Sequence, residues 1–191
     1  MPYLARVAEE AHTDGTPMMR PMVLEFPGDR TGFDADCQYM LGDALLVAPV
    51  LTADGSVEYY LPDGEWTSLL DGSVADGRRW VTESHGYDSV PLRVRPGTVL
   101  PIGAVEDRPD YDWADGVTLR CFRLPDGYDA VTTVPGHGGT PATTFRVRRE
   151  GAAIIASSDD ARAPWALQTG DRIARAEASG ELRIEIEEDQ R

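Results

Sequence analysis

The sequence contains many carboxylates but no pair whose position marks it as catalytic. Of its 191 residues, 33 are Asp or Glu and 18 are basic, all of them Arg. Hydrolysis of a glycosidic bond by two carboxyl groups requires them to lie about 5 to 9.5 Å apart, with one held protonated. Spacing along the chain does not reveal such a pair among so many surface candidates. The sequence therefore predicts no catalytic residue.

Glu25 is the acidic residue with the most unusual surroundings. It lies near the end of the apolar run Met18–Phe26, which is typical of a buried strand. A buried carboxylate needs a partner, because its desolvation is costly. We interpret Glu25 as one half of a structural salt bridge with an arginine such as Arg20, and keep a catalytic acid as the alternative.

Ser84, His85 and Asp88 have the residue types of a catalytic triad. Triads are defined by geometry, and residues that are adjacent in sequence do not acquire that geometry by adjacency. The sequence also lacks the GxSxG elbow that exposes a nucleophilic serine. We therefore reject a triad here.

Asp34 and Asp36, with Asp29 nearby, suggest a calcium loop, because closely spaced carboxylates are calcium ligands. The segment lacks the later glycine and glutamate of an EF-hand. We interpret these aspartates as helix-capping residues.

The remaining metal-binding residue types are scattered. His12, His85 and His137 are isolated from one another and from Cys37 and Cys121, so no zinc spacing is present. We predict surface or loop histidines, two buried thiols and no metal site.

A glycine-rich stretch and four tryptophans could bind ligands but have simpler explanations. Gly136–Gly139 follows a predicted strand and opens no helix, so it lacks the amide arrangement that binds phosphate. We interpret it as a turn and predict no cofactor. Trp66, Trp80, Trp113 and Trp165 could stack on sugar rings, but tryptophan in a small β-domain is more often a core residue.

Composition excludes several classes of partner. A formal net charge of −15 without lysine repels a phosphate backbone, so no nucleic-acid partner is predicted. No stretch approaches the roughly 20 consecutive apolar residues that span a membrane, and no leader is visible. A cytoplasmic protein is expected. The acidic composition also fits adaptation to concentrated salt, a hypothesis that complete folding in low salt would oppose.

The first fifty residues predict a helix, a strand and a short helix. Met1–Ala11 has apolar residues at helical spacing, Met18–Phe26 is strand-like, and Ala35–Leu41 suits a short helix. After the apolar run Leu45–Val50, short β-type runs alternate with turn residues and no helical period appears. The chain is too short for a whole (β/α)₈ barrel of about 250 residues.

The later strands form two blocks, separated by the charged segment Glu106–Asp110. The clearest strand is the last, where Leu182, Ile184 and Ile186 alternate with charged residues, as in a sheet with one buried face. The acidic end Glu187–Asp189 is expected to fray. The other predicted strands are residues 57–61, 66–70, 79–82, 90–94, 117–124, 130–134, 143–147 and 152–156.

Eight stretches resemble glycoside hydrolase family 31 in order and spacing. They are Met1–Leu4, Gly15–Pro27, Gln38–Asp43, Leu45–Val50, Tyr60–Trp66, Pro91–Pro101, Arg108–Trp113 and Leu124–Ala130. In that family the first four belong to the last helix–strand units of the catalytic barrel and the crossing into a proximal β-sandwich. The last two resemble the start of the distal domain in the bacterial and archaeal α-xylosidase branch.

The resemblance implies a retaining mechanism with an aspartate nucleophile, a second aspartate as acid/base and no metal or organic cofactor. Both aspartates lie on earlier barrel strands, so neither is carried onto this sequence, and the chain alone is expected to be inactive. The implied substrate is an α-linked oligosaccharide, with xylose favoured, and a homo-oligomer is compatible with the sequence. The alternatives are an α-glucosidase of the same family and a stand-alone β-sandwich module that binds carbohydrate or protein.

The predicted fold is mainly β, with three parts. Residues 1–42 are the end of a (β/α)₈ barrel, 43–103 a proximal antiparallel β-sandwich and 104–191 a distal one. Met1 resembles an internal methionine of a family helix, so we expect residues 1–42 to be unstable and protease-sensitive without the rest of the barrel. The loop from Pro27 to Cys37 is expected either to line the substrate pocket or to be plain surface.

Overall fold

The computed structural model describes residues 1–186, in which β-strands are the main regular secondary structure. The predicted frayed end, Glu187–Asp189, lies outside the described residues. The helices are α1 (Pro2–Asp14), α2 (Met22–Glu25) and a 3₁₀ helix (Arg30–Phe33). The strands are β1 (Met19–Arg20), β2 (Tyr39–Leu41), β3 (Leu45–Val47), β4 (Ser56–Leu61), β5 (Glu65–Ser68), β6 (Val74–Asp76), β7 (Arg79–Ser84), β8 (Leu92–Val94), β9 (Thr98–Ile102), β10 (Val117–Phe122), β11 (Asp129–Val134), β12 (Thr143–Glu150), β13 (Ala153–Ser158), β14 (Trp165–Thr169), β15 (Arg172–Ala176) and β16 (Gly180–Glu185).

The chain divides into two compact units. One is continuous, Gly15–Pro96, and is called the 15–96 unit; the other combines Met1–Asp14 with Gly97–Arg191 and is called the split unit. The predicted boundaries after residues 42 and 103 do not coincide with these units. Strands β2 and β3 pair across the first boundary, and α1 contacts β9 and β11 of the split unit. No helix among the described residues is long and apolar enough to span a membrane.

The 15–96 unit contains a six-stranded antiparallel sheet in the order β1-β2-β3-β8-β5-β6, together with the antiparallel pair β4-β7. Its core surrounds the fully buried Trp66, whose Nε1 donates to the Pro62 carbonyl at 2.8 Å. The buried core residues are Met22, Ala35, Met40, Leu46, Ala48, Val57, Tyr59, Tyr60, Leu61 and Trp66.

Two predicted elements of this unit are wrong. The run Met18–Phe26 is not one buried strand, because β1 ends at Arg20 and the helical turn α2 follows. Pro21 lies between them with φ −61° and ψ 150°, and proline has no N–H with which to extend the sheet. Ala35–Leu41 is not a helix, because β2 pairs with both β1 and β3.

The split unit contains two four-stranded sheets, ordered β15-β14-β10-β9 and β11-β12-β13-β16. Its pairings are antiparallel, as predicted, except that β10 and β14 run parallel. The fully antiparallel prediction is wrong at this pair, because β14 returns to β10 only after the other sheet's strands β11, β12 and β13. The rings of Phe145 and Trp165 lie 5.1 Å apart in the core.

The alternation predicted for the last strand is confirmed as far as the described residues extend. Ile184 and Ile186 are buried and Leu182 is half-buried, whereas Arg183 and Glu185 are exposed. This strand therefore closes one side of the core of the split unit, with its charges in solvent.

Candidate functional site

An ion cluster fixes α2 in the 15–96 unit. The Arg20 side chain is almost fully buried, and its Nη1 donates to Glu25 Oε1 at 2.7 Å while its Nε donates to the Pro17 carbonyl at 3.0 Å. Arg95 Nη1 donates to the other carboxylate oxygen of Glu25 at 3.0 Å. The predicted Arg20–Glu25 salt bridge is confirmed. Because both Glu25 oxygens accept from guanidinium groups, this carboxylate has a structural role.

Phe26 joins the ion cluster to the core. The Arg95 guanidinium lies 4.5 Å from the centre of the Phe26 ring, and that ring lies 6.1 Å from the Trp66 ring. A cation over an aromatic face is favourable and needs little space. The end of α2 is therefore held by charge on one side and by the core on the other.

The loop that follows is fixed by Asp29 and Gln38. Asp29 Oδ1 accepts from the Thr31 N–H at 3.1 Å, which caps the 3₁₀ helix, and its Oδ2 accepts from the Tyr60 hydroxyl at 2.8 Å. Burial and the Asp29 carboxylate raise the pKa of Tyr60. The Gln38 side chain donates to the Tyr60 carbonyl at 2.8 Å and accepts from its N–H at 2.6 Å. Capping is thus confirmed for Asp29.

The other polar residues of this loop behave differently from the predictions. Asp34 contributes its backbone N–H to the end of the 3₁₀ helix, and Asp36 hydrogen-bonds Cys37, which raises the pKa of that thiol. Cys37 is exposed, so the prediction of two buried thiols is wrong for it and confirmed for Cys121. Among residues 1–186 no group of three or more His, Cys, Asp or Glu side chains is placed to hold a metal ion.

Apolar side chains are exposed along the same segment. Leu24 is 49% exposed and Phe33 58%, and Met19 and Val23 are also exposed. A group of apolar side chains left in solvent usually marks a surface that another structure covers. This stretch is therefore a candidate interface.

A second candidate site is a cavity of about 280 Å³ within the 15–96 unit. Its wall includes Asp71 from the connection between β5 and β6, Glu83 from β7, Arg93 from β8, and His85 and Ser89 from the loop between β7 and β8. We call it the His85 cavity. None of Glu83, Ser89 and Arg93 was singled out from the sequence.

Arg93 organises the floor of the His85 cavity. The residue is 7% exposed, and its Nε donates to the Tyr59 hydroxyl at 3.0 Å, its Nη1 to Ser73 Oγ at 3.2 Å and its Nη2 to Glu83 Oε1. Burial raises the pKa of Tyr59 to about 12. Burial opposes ionisation of Glu83 as well, but hydrogen bonds from His85 and Arg93 hold its pKa below the usual value.

His85 bridges Glu83 and Ser89. Its Nε2 lies 3.0 Å from Glu83 Oε2 and its Nδ1 lies 2.6 Å from Ser89 Oγ. A carboxylate only accepts hydrogen bonds, so Nε2 carries a proton, and in the neutral ring Nδ1 accepts from the Ser89 hydroxyl. The partners of His85 are therefore not Ser84 and Asp88, the residues considered from the sequence.

The predictions for the tryptophans and for the glycine-rich turn are partly confirmed and partly wrong. Trp66 and Trp165 are buried core residues, as predicted, but Trp80 is 43% exposed, so the core prediction is wrong for it. Trp113 is half-buried and its ring lies 4.8 Å from that of His137. The turn predicted at Gly136–Gly139 is confirmed by a hydrogen bond from the Thr140 N–H to the His137 carbonyl.

Two family models match nearly the whole chain. Residues 15–100 match the glycosyl hydrolase family 31 C-terminal domain, and residues 112–191 match the C-terminal domain of the α-xylosidase YicI. The chain belongs to glycoside hydrolase family 31. Within that family it corresponds to C-terminal domains, in agreement with the motifs found in the sequence.

Curated relatives include proteins described as α-xylosidases. One from Emericella nidulans is 43% identical over 126 residues, which cover 62% of this chain and 16% of that protein. XylQ from Lactiplantibacillus pentosus is 35% identical over 159 residues, covering 81% and 21%. The chain thus spans about a fifth of the length of these relatives. Proteins described as α-glucosidases also match.

A solved member of the family has a similar fold. The dextranase of Flavobacterium johnsoniae superposes with a TM-score of 0.75 at 25% identity, covering 88% of this chain and 23% of that one. The mainly β architecture with several antiparallel sheets is therefore that of family 31 C-terminal domains.

Proposed function

We propose that this chain is the C-terminal part of a retaining α-glycosidase that releases terminal α-xylosyl residues from oligosaccharides. The match of residues 112–191 to an α-xylosidase C-terminal domain carries the proposal. An α-glucosidase is the second candidate, because proteins so described also match.

We infer that the two catalytic aspartates lie outside these 191 residues and that this chain alone is inactive. The chain spans about a fifth of its relatives' length, and the carboxylates with the most developed surroundings, Glu25 and Glu83, are engaged by arginines. A carboxylate held by a buried guanidinium is a poor general acid, since the paired cation favours its ionised form. No cofactor is proposed.

We further propose that residues 1–42 complete the end of a (β/α)₈ barrel, as the sequence predicts. The exposed Met19, Val23, Leu24 and Phe33 support this, because a barrel packed on this face would bury them. The ion cluster at Glu25 would then hold α2 in place, and the loop from Pro27 to Cys37 would either line the substrate pocket or be plain surface. A cytoplasmic location, a homo-oligomer and the absence of nucleic-acid and membrane partners stay predictions.

Turnover by the complete enzyme tests the substrate. We expect kcat/KM for an aryl α-xyloside to exceed that for the matching α-glucoside by roughly 10- to 200-fold, the discrimination that one missing carbon substituent usually allows. Preference for the glucoside would select the second candidate. The 191-residue chain should cleave neither compound, and measurable turnover by it would place the catalytic pair within these residues.

Substitution of Leu24 tests the barrel interface. In the complete enzyme Leu24→Asp should lower stability by about 2 kcal/mol or more, because a carboxylate would replace a buried leucine. Leu51→Asp is the matched control, since Leu51 is 74% exposed in the same unit. Equal melting temperatures for the two variants would mean that no barrel covers Leu24.

A further inference from the structure

We propose that the His85 cavity binds a neutral polyhydroxyl ring of the size of one monosaccharide unit. This goes beyond the proposed activity, and it concerns only residues of the 15–96 unit. It rests on the size of the cavity, the charge of its wall and the mixture of polar and apolar side chains there.

The size of the cavity favours a single ring. Binding pockets for drug-sized molecules range from roughly 300 to 1,000 Å³, and this cavity, at about 280 Å³, lies at the lower limit. A longer oligosaccharide would have to extend into solvent, with one unit held inside.

The charges on the wall disfavour an anionic ligand. Hydrogen bonds from the Ser73 backbone and the Ser68 hydroxyl hold the pKa of Asp71 at about 2, so this side chain is ionised at neutral pH. The positive charge of Arg93 is already matched by Glu83. Two carboxylates and one guanidinium leave the wall with an excess of negative charge, which repels phosphate or carboxylate, and carboxylate oxygens accept hydrogen bonds from hydroxyl groups.

The polar groups are held in position before a ligand arrives. Glu83 is fixed by Arg93 on one side and His85 on the other, and His85 fixes Ser89. When the Ser89 hydroxyl donates its hydrogen bond to His85, its oxygen still has lone pairs that accept hydrogen bonds. Preorganised donors and acceptors reduce the entropy lost on binding.

An apolar side of the wall completes the match. Leu70, Val90 and Pro91 line the cavity beside the polar groups, and Leu70 is largely exposed. A sugar ring has hydroxyl groups at its edge and C–H groups on its faces, so it needs both kinds of surface. A small inorganic ion would gain nothing from the apolar side.

Titration of the ¹⁵N-labelled 191-residue chain with D-xylose, D-glucose and inorganic phosphate tests the proposal. We expect at least one sugar to give saturable shifts confined to amides of residues 68–73 and 83–93, at millimolar concentration, and phosphate to give none there. Absence of saturable shifts with both sugars, or shifts with phosphate alone, would overturn it.

Three variants connect the shifts to the cavity. Ser89→Ala and Asp71→Asn should each weaken binding by roughly 3- to 10-fold, the effect of one lost hydrogen bond. Thr82→Ala is the control, because Thr82 is exposed on β7 and is not part of the wall. If Asp71→Asn disturbs the spectrum elsewhere, Ser89→Ala decides alone, and unchanged affinity in that variant refutes the assignment. Because the test measures binding, its failure leaves the proposed glycosidase activity unaffected.

Discussion

The two units place their buried arginines differently. In the 15–96 unit, Arg20 and Arg93 are buried and each is paired with a carboxylate. In the split unit the buried Arg149 donates to the carbonyls of Leu124 and Gly151, whereas Arg146, on the exposed face of the same strand, pairs with a carboxylate at the surface.

The difference in how the buried arginines are paired reflects how much of each unit's backbone is held in regular β-strands. The split unit consists of strands of five to eight residues, some of which, β12 most clearly, alternate between core and solvent while β13 and β14 are almost wholly buried, so its fold follows from the sheet ladders. The 15–96 unit contains strands as short as two residues and a long loop. Short strands supply few ladder hydrogen bonds, so side-chain networks must fix the connecting segments.

Among the substitutions that test this contrast between the units, Arg93→Leu is expected to lower the free energy of unfolding the most. Removing the guanidinium leaves the Tyr59 hydroxyl without its partner and Glu83 with His85 alone, and loss of one member of a largely buried pair costs about 2–4 kcal/mol. Arg146→Leu in the split unit is the control, because exposed pairs contribute about 0–1 kcal/mol. Urea unfolding followed by circular dichroism measures both.

Similar unfolding free energies for the two variants would contradict the contrast between the units. An Arg93→Leu variant that is more stable than the parent would show that packing at this position outweighs the ion pair.

A smaller change in the free energy of unfolding is expected at alkaline pH. Burial raises the pKa of Cys121 from about 9.0 to about 12, and that of Tyr59 from about 10.0 to about 12. Between the two values the unfolded chain has lost a proton that the folded chain retains, so stability falls as pH rises. In the Cys121→Val variant, the free energy of unfolding should therefore fall less steeply than in the parent from about pH 9 upward. In the Tyr59→Phe variant, the same difference should appear only from about pH 10.

Unfolding free energies of the parent and the two variants, compared over pH 8 to 12, measure these slopes. A Cys121→Val variant with the parent's slope would mean that the thiol ionises normally in the folded chain.

The sequence was most informative where one local pattern decides the structure. The alternation of Leu182, Ile184 and Ile186 predicts a strand with one buried face, and Trp66 and Trp165 are core residues as expected. A buried carboxylate needs a cationic partner, and Arg20 is close to Glu25 in sequence, so their salt bridge could be predicted.

Sequence patterns gave wrong predictions where contacts between residues far apart in the sequence determine the structure. Ala35–Leu41 suits a helix in isolation, but the Gln38 side chain is fixed by the backbone of Tyr60, and β2 pairs on both sides. The parallel pairing of β10 with β14 likewise depends on strands that come between them in sequence.

The His85 cavity was missed for the same reason. His85 and Ser89 are four residues apart, a spacing that no catalytic or metal-binding motif requires for this pair. Arg93 lies on a separate strand, β8. A search for charged residues at inward positions of strands that are consecutive in sequence would have selected Glu83 and Arg93.

The division of the split unit has a consequence for synthesis. Helix α1 leaves the ribosome before the strands it contacts, because β9 and β11 follow only after the whole 15–96 unit has been translated. At roughly 5–20 residues per second, the delay is on the order of 4 to 17 s. During that interval the apolar face of the nascent α1 has no partner from the split unit, and chaperones have time to bind it.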